Sequence, residues 1–260
     1  MRNIWTILKK DLSLFFVSPI AYVVLTVFLF ISGFFFYNIV ASVMQFAIQE
    51  MMQAQQFGPP PARDYTQEVF RGFFGVLSTI ILFLLPMLTM GIFADEKRRG
   101  TIELLMTSPV TQWQLILGKF LASVTFYMVM LLPTFLYSVL VYRYSDPRPM
   151  WGPILSGYLG IFLLGAALIA IGIFISSLTE NQIIAAVVTF AVFIILWVID
   201  FAARGAGFVA EVLKYLSVLN HFEDFSKGVI DLKSVVFYLS MIILGLFLTS
   251  SSVESMRWRE

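Results

Sequence analysis

The chain has 260 residues, 59% of them apolar and 13% charged, with a mean hydropathy of +0.88, a net charge of +1 and no cysteine. Soluble domains carry about a quarter of their residues as Lys, Arg, Asp and Glu, so this composition excludes an ordinary water-facing shell and places the chain in lipid. The near-zero charge argues against a nucleic-acid partner, and the lack of cysteine removes disulfides, thiolate metal sites and a Cys nucleophile.

At the N-terminus, Ile4, Leu8, Leu12, Phe15 and Phe16 recur at helical spacing, with Trp5 beside them and Lys9, Lys10 and Asp11 elsewhere around the wheel. This pattern predicts an amphipathic helix over 1–18 lying on the membrane face, turned into the bilayer at Pro19. The leader is too charged, and too short of a small-residue cleavage site, to read as a cleaved signal peptide. Uncharged stretches long enough to cross a hydrocarbon core of ~30 Å then follow at 20–42, 73–94, 120–142, 154–177, 182–199 and 234–253. Together they hold 130 residues and none of the 33 charges. Long unbroken apolar runs predict helices rather than the short alternating strands of a membrane barrel. The expected fold is therefore an all-α membrane protein of six spans forming one transmembrane domain over 1–260.

Between the first two spans, the Gln-rich stretch 49–56 and Pro59-Pro60-Pro61 predict a mobile external linker across 43–72. Pro86 in the second span and Pro133 in the third are candidate hinges, because proline removes a helix hydrogen bond. Segment 95–111 follows the second span. Its charges Asp95, Glu96, Lys97, Arg98 and Arg99 end at Gly100, and 102–106 reads as a short apolar-tipped helix stopped by Ser108-Pro109. Thr111 with Gln114 forms a capping box for the next helix, stapled by Val110 and Leu115. A solvated topology-fixing loop and a docking knob for a soluble partner both fit this pattern.

Gly157, Gly160, Gly165, Ala166, Ala170 and Gly172 give the fourth span small surfaces for close helix packing. Thr179 with Gln182 reads as a second capping box between spans four and five. Over 200–233, Phe208, Val209, Val212, Leu213, Leu216 and Leu219 predict short helices, and the lone His221 reads as a structural loop residue. Glu223, Asp224 and Asp231 match no calcium-loop spacing. With six spans the two termini share a side. The Lys97-Arg98-Arg99 cluster favours the cytoplasm, although the tally of Lys and Arg, nine against eight, barely discriminates.

No span contains Asp, Glu, Lys, Arg or His, which argues against proton-coupled transport and intramembrane catalysis. The single Gly-Lys pair, Gly118-Lys119, lacks the flanking glycine and hydroxyl of a phosphate loop, so any ATP hydrolysis belongs to another polypeptide. This chain is not expected to be an enzyme.

The run Phe93 to Leu105, then Ser108-Pro109-Val110 and Leu117-Gly118-Lys119-Phe120, resembles permease subunits of the ABC type-2 exporter family. Ser18-Pro19-Ile20, Ser176 to Gln182, His221-Phe222 and Lys227 to Asp231 resemble in particular the gliding-motility-associated (Gld F-like) subgroup, and copper-centre maturation permeases read similarly. The resemblance implies an N-terminal interfacial helix, a cytoplasmic coupling helix in the loop between spans two and three, and short extracytoplasmic helices before span six. It also implies a bacterial inner-membrane location with both termini cytoplasmic. The implied partners are two copies of an ABC ATPase subunit, a second permease copy or related permease, the lipid bilayer, and an accessory extracytoplasmic membrane protein. ATP and Mg are then bound by the ATPase, with no cofactor in this chain. Carried over, Glu96 is the gate-like acidic residue, and Arg98, Arg99, Gly100, Thr101, Glu103, Leu104, Leu105 and Pro109 complete the ATPase-coupling surface. A non-transporting scaffold or force-transmitting component of such a machine is the alternative.

Overall fold

The structure is a computed structural model; it describes residues 2–58, 64–101, 110–146, 148–202 and 208–257. These residues form helices, with no strand among them. In chain order they are α1 (Arg2–Val17), α2 (Pro19–Phe57), α3 (Tyr65–Thr89), α4 (Ala94–Arg98), α5 (Gln112–Leu131), α6 (Phe135–Tyr144), α7 (Trp151–Leu178), α8 (Gln182–Ala202), α9 (Phe208–Leu216), α10 (Val218–Ser226) and α11 (Leu232–Arg257). Six helical stretches are long and apolar enough to cross a membrane: Pro19–Ala54, Tyr65–Arg98, Gln112–Tyr144, Trp151–Leu178, Gln182–Ile199 and Leu232–Ser255. Each contains or closely matches one span expected from the sequence.

Helix α7 is the centre of the bundle. Ile161, Ala167, Ile169, Ala170 and Ile173 are fully buried there, because α3, α5, α8, α10 and α11 all pack against it. Small residues let these neighbours approach closely. The α-hydrogen of Gly157 faces the Phe74 ring, Gly165 the Tyr127 ring and Gly172 the Thr89 side chain, each so near that a Cβ would stand 2.1–2.3 Å from them. By contrast α2 and α8 lie on the periphery and expose Phe30, Phe34, Ile183 and Val187.

Several local expectations change. The linker expected over 43–72 is mostly helix, since α2 runs on to Phe57 and α3 starts at Tyr65. The reason is composition: Met, Ala and Gln between 44 and 56 are good helix formers, and hydropathy senses where the lipid ends rather than where the helix ends. The residues Pro59 to Pro61 lie outside the described residues. Asp64 caps α3 by accepting from Thr66 N and Gln67 N. The third span breaks at a 3-10 turn, Leu132–Thr134, around Pro133, whereas α3 continues past Pro86 to Thr89. At the fifth span the cap is Asn181 rather than Thr179: Asn181 Oδ1 accepts from Ile183 N at 2.9 Å, and Thr179 Oγ1 accepts instead from Asn181 N. His221 sits in α10 and not in a loop. It is buried between Tyr215 O and Ser234 Oγ, 3.0 Å from each, and stacks on Phe237 at 4.1 Å.

The far end of the bundle, where α7 begins, is held by α10. Ser156 Oγ donates to Phe225 O at 2.9 Å, Tyr238 Oη donates to Val218 O at 2.8 Å, and Arg71 pairs with Glu223 at 3.0 Å. Glu223 also pairs with Lys227 at 3.4 Å, and Asp231 accepts from Lys233 N at 3.0 Å.

Candidate functional site

The chemistry of the chain gathers at the opposite end, where α3 and α7 finish and α5 begins. Capping fixes the start of α5. Thr111 Oγ1 accepts from Gln114 N at 3.4 Å while Gln114 Oε1 accepts from Thr111 N at 3.3 Å, the reciprocal box expected from the sequence. Asn3 of α1 donates to the same Gln114 Oε1 at 3.2 Å, and Gln112 donates to Ser250 O of α11.

Helix α1 packs along α5. The Phe15 and Phe126 rings stack at 5.1 Å. A Cβ on Gly118 would stand 2.7 Å from Ile7 Cγ2, so glycine is what allows the two helices to meet. Trp5, Leu14 and Val17 stay exposed.

This seam buries an ion cluster. Lys119, 3% exposed, points from α5 into the space between α1 and α4. Its Nζ lies 2.7 Å from Glu96 Oε1, 3.3 Å from Asp11 Oδ2 and 3.1 Å from Ile92 O, and 5.2 Å from the Phe93 ring centre. Lys10 Nζ, on a half-exposed side chain, stands 3.9 Å from Glu96 Oε1 and 4.0 Å from Asp11 Oδ1. Asp11, which the helical wheel places among the polar residues, is therefore buried at 8% exposure. One ammonium shared by two carboxylates ties three elements distant in sequence into one joint, and a buried charge is tolerated only when paired in this way.

Helix α4 is fixed from below by the end of α7. Ser176 Oγ accepts from Phe93 N at 3.1 Å and Ala94 N at 3.2 Å and donates to Met90 O at 2.9 Å, so one hydroxyl caps the turn into α4. Lys97 donates to Ser177 O, which also accepts from Ser252 Oγ at 3.3 Å.

Of the residues singled out in sequence, Glu96 joins the cluster, Arg98 pairs with Asp95 at 3.2 Å, and Arg99 closes α4. Gly100 adopts φ +65°, the left-handed conformation that glycine enters without strain. Thr101 Oγ1 donates back to Glu96 O at 3.2 Å. Glu103, Leu104, Leu105 and Pro109 lie outside the described residues. Pro86 is on α3 and Pro133 between α5 and α6, and neither bonds to the cluster among the described residues. Sequence reasoning missed Asp11 and Lys119 as members of the site; the signal present was a lysine beside glycine near the start of an apolar span, where an unpaired charge is costly.

Beside the cluster lies a cavity of about 640 Å³. Lys10, Asp11, Asp95, Glu96, Arg99 and Lys119 line its polar part, and Leu14, Phe15, Val17, Ile20, Ala21, Val24, Met87 and Leu88 its apolar part.

Residues 5–246 match the family model for ABC-2 family transporter proteins. The chain is also similar to the "Probable multidrug ABC transporter permease YbhR" of Escherichia coli strain K12 and to the protein of the same name in Escherichia coli O157:H7. In each case identity is 25% over 180 residues, covering 65% of this chain and 45% of the relative, so the chain spans less than half the length of these curated relatives.

Proposed function

Because this chain belongs to the ABC-2 family of transporter proteins, we propose that it is the permease subunit of an ATP-driven exporter whose hydrolysis resides in a separate ABC ATPase. In this reading it forms the membrane pathway with a second permease, its termini are cytoplasmic in a bacterial inner membrane, and the ATPase docks on segment 95–111. The ATPase supplies the ATP and Mg sites.

The observation that supports this reading is that both ends of segment 95–111 are anchored to spanning helices. On one side Thr101 is bonded to Glu96, and Glu96 to Lys119 of α5. On the other, Thr111 is boxed with Gln114, which also holds Asn3 of α1. Force applied between those anchors passes to α3 through α4 and to α5 and α1 through the cluster, a packed element suited to having two arrangements. Neither anchor is a flexible tether.

Co-purification with the ATPase tests this. Glu103→Lys combined with Leu104→Asp is expected to abolish assembly and ATPase stimulation, while Lys119→Met is expected to keep assembly and weaken stimulation. Unchanged assembly and stimulation in the double variant would refute the docking assignment. The alternative is a non-transporting, force-transmitting scaffold of an ATPase-linked machine, such as a gliding-motility complex. Reconstituted vesicles separate the two, since a scaffold stimulates the ATPase without flux.

A further inference from the structure

We propose that the cavity beside the ion cluster binds an amphiphile with an ammonium head, its head against the carboxylates of Asp11 and Glu96 and its tail along Leu14, Ile20, Val24 and Met87. The site is built from this chain alone, and its Glu96 and Arg99 belong also to the proposed docking segment, so the binding test below uses the chain without an ATPase.

Two acceptors in the cluster are left over. Lys119 occupies Glu96 Oε1 and Asp11 Oδ2, but Asp11 Oδ1 and Glu96 Oε2 are buried and accept no hydrogen bond from any described residue. Asp11 is more than nine-tenths buried, and both residues line the cavity. A buried carboxylate oxygen without a donor is an energetic defect that a new donor relieves. An ammonium carries three donors and a positive charge, and so matches two carboxylates that share one buried lysine.

The groups facing this point decide the sign of the head. Lys10 and Arg99 also line the cavity, yet both are exposed to water and need no anion to stabilise them. Asp95 is engaged by Arg98. Lys10 hovers at 3.9–4.0 Å from the two carboxylates, beyond hydrogen-bond distance, on a side chain with half its surface in solvent. Swinging it outward opens the position to a ligand ammonium. The apolar part, where α1 hands over to α2 against the end of α3, suits an alkyl chain.

The test uses the purified full-length chain in phosphatidylcholine nanodiscs, with empty discs as background. Radiolabelled dodecylammonium is titrated and compared with dodecyl sulfate and dodecanol. Dodecylammonium is expected to bind at least about tenfold more tightly than either, the effect of one charge-assisted hydrogen bond. Ile20→Trp, at a half-exposed lining position, is expected to weaken binding about tenfold by filling the tail site. Lys10→Gln is expected to strengthen it several-fold, because the competing cation is gone. Equal binding of the three compounds, preference for dodecyl sulfate, or indifference to Ile20→Trp would each overturn the proposal. Competition by phosphatidylethanolamine added to the discs would support it with a membrane lipid as the source, and dodecylammonium selectivity without that competition would support it with a free amphiphile.

Discussion

Replacing Lys119 by Met tests the joint at its most sensitive point. The methionine keeps the length of the side chain and removes the only buried cation of the cluster, leaving Asp11 and Glu96, at side-chain exposures of 11% and 15%, with only the half-exposed Lys10 at 3.9–4.0 Å. At an effective dielectric constant near 20, unit charges 2.7 and 3.3 Å apart attract by roughly 6 and 5 kcal/mol. Most of that gross attraction is offset by the desolvation of the three groups, so the net loss on breaking the cluster is about 3–5 kcal/mol. The triple variant Asp11→Asn, Lys119→Met, Glu96→Gln removes the charges together and is expected to recover more than half of the loss. Fluorescence-detected thermal unfolding of detergent-solubilised variants ranks the three proteins. If Lys119→Met unfolds within about 1 kcal/mol of the parent, or if the triple variant is no better than the single one, the cluster does not hold the seam as argued here.

Two further outcomes are read by the same assay. Gly245→Ala places a Cβ 2.9 Å from the Ala170 carbonyl carbon, a backbone atom that cannot swing aside, and is expected to cost about 1–3 kcal/mol; Gly75→Ala, where no atom lies within 4 Å, is expected to be neutral or stabilising. Equal behaviour of the two would contradict the packing of α11 on α7. Ser176→Ala removes the acceptor for Phe93 N and Ala94 N, and is expected to cost about 1–3 kcal/mol and to speed hydrogen exchange at those two amides, whereas unchanged exchange would show that the hydroxyl is not their partner.

Hydropathy made the six spans legible, because crossing lipid forces about 20 uncharged residues in succession and nothing else in the chain imitates that. Capping chemistry was legible at Thr111, where the partner is three residues away. It misled at Thr179, because Asn181 stands closer to the first turn and its carboxamide oxygen reaches two amides. The ion cluster was only a third legible. Glu96 stood out within a charged run, but Asp11 and Lys119 are joined by a fold that brings together residues 108 positions apart. A helical wheel sorts side chains by polarity, and assigns every carboxylate to water; it has no knowledge of a cation arriving from another helix. The helical extent of α2 was hidden for a related reason, since lipid contact and helix formation are separate properties that coincide only inside the bilayer.

The side chains seated against the glycines of α7 restrict how this bundle can deform. Phe74 and Thr89 from α3, Tyr127 from α5 and Phe225 from α10 each act as a peg in a notch. Sliding a neighbour along α7 by one helical turn, about 5.4 Å, would lift a peg out and press it onto a Cβ-bearing residue. Shear along α7 is thereby resisted near both of its ends, and α3, α5, α7 and α10 are expected to move together. Displacement is left to tilting of that block and to the peripheral helices α2 and α8, whose apolar faces meet whatever surrounds the protein.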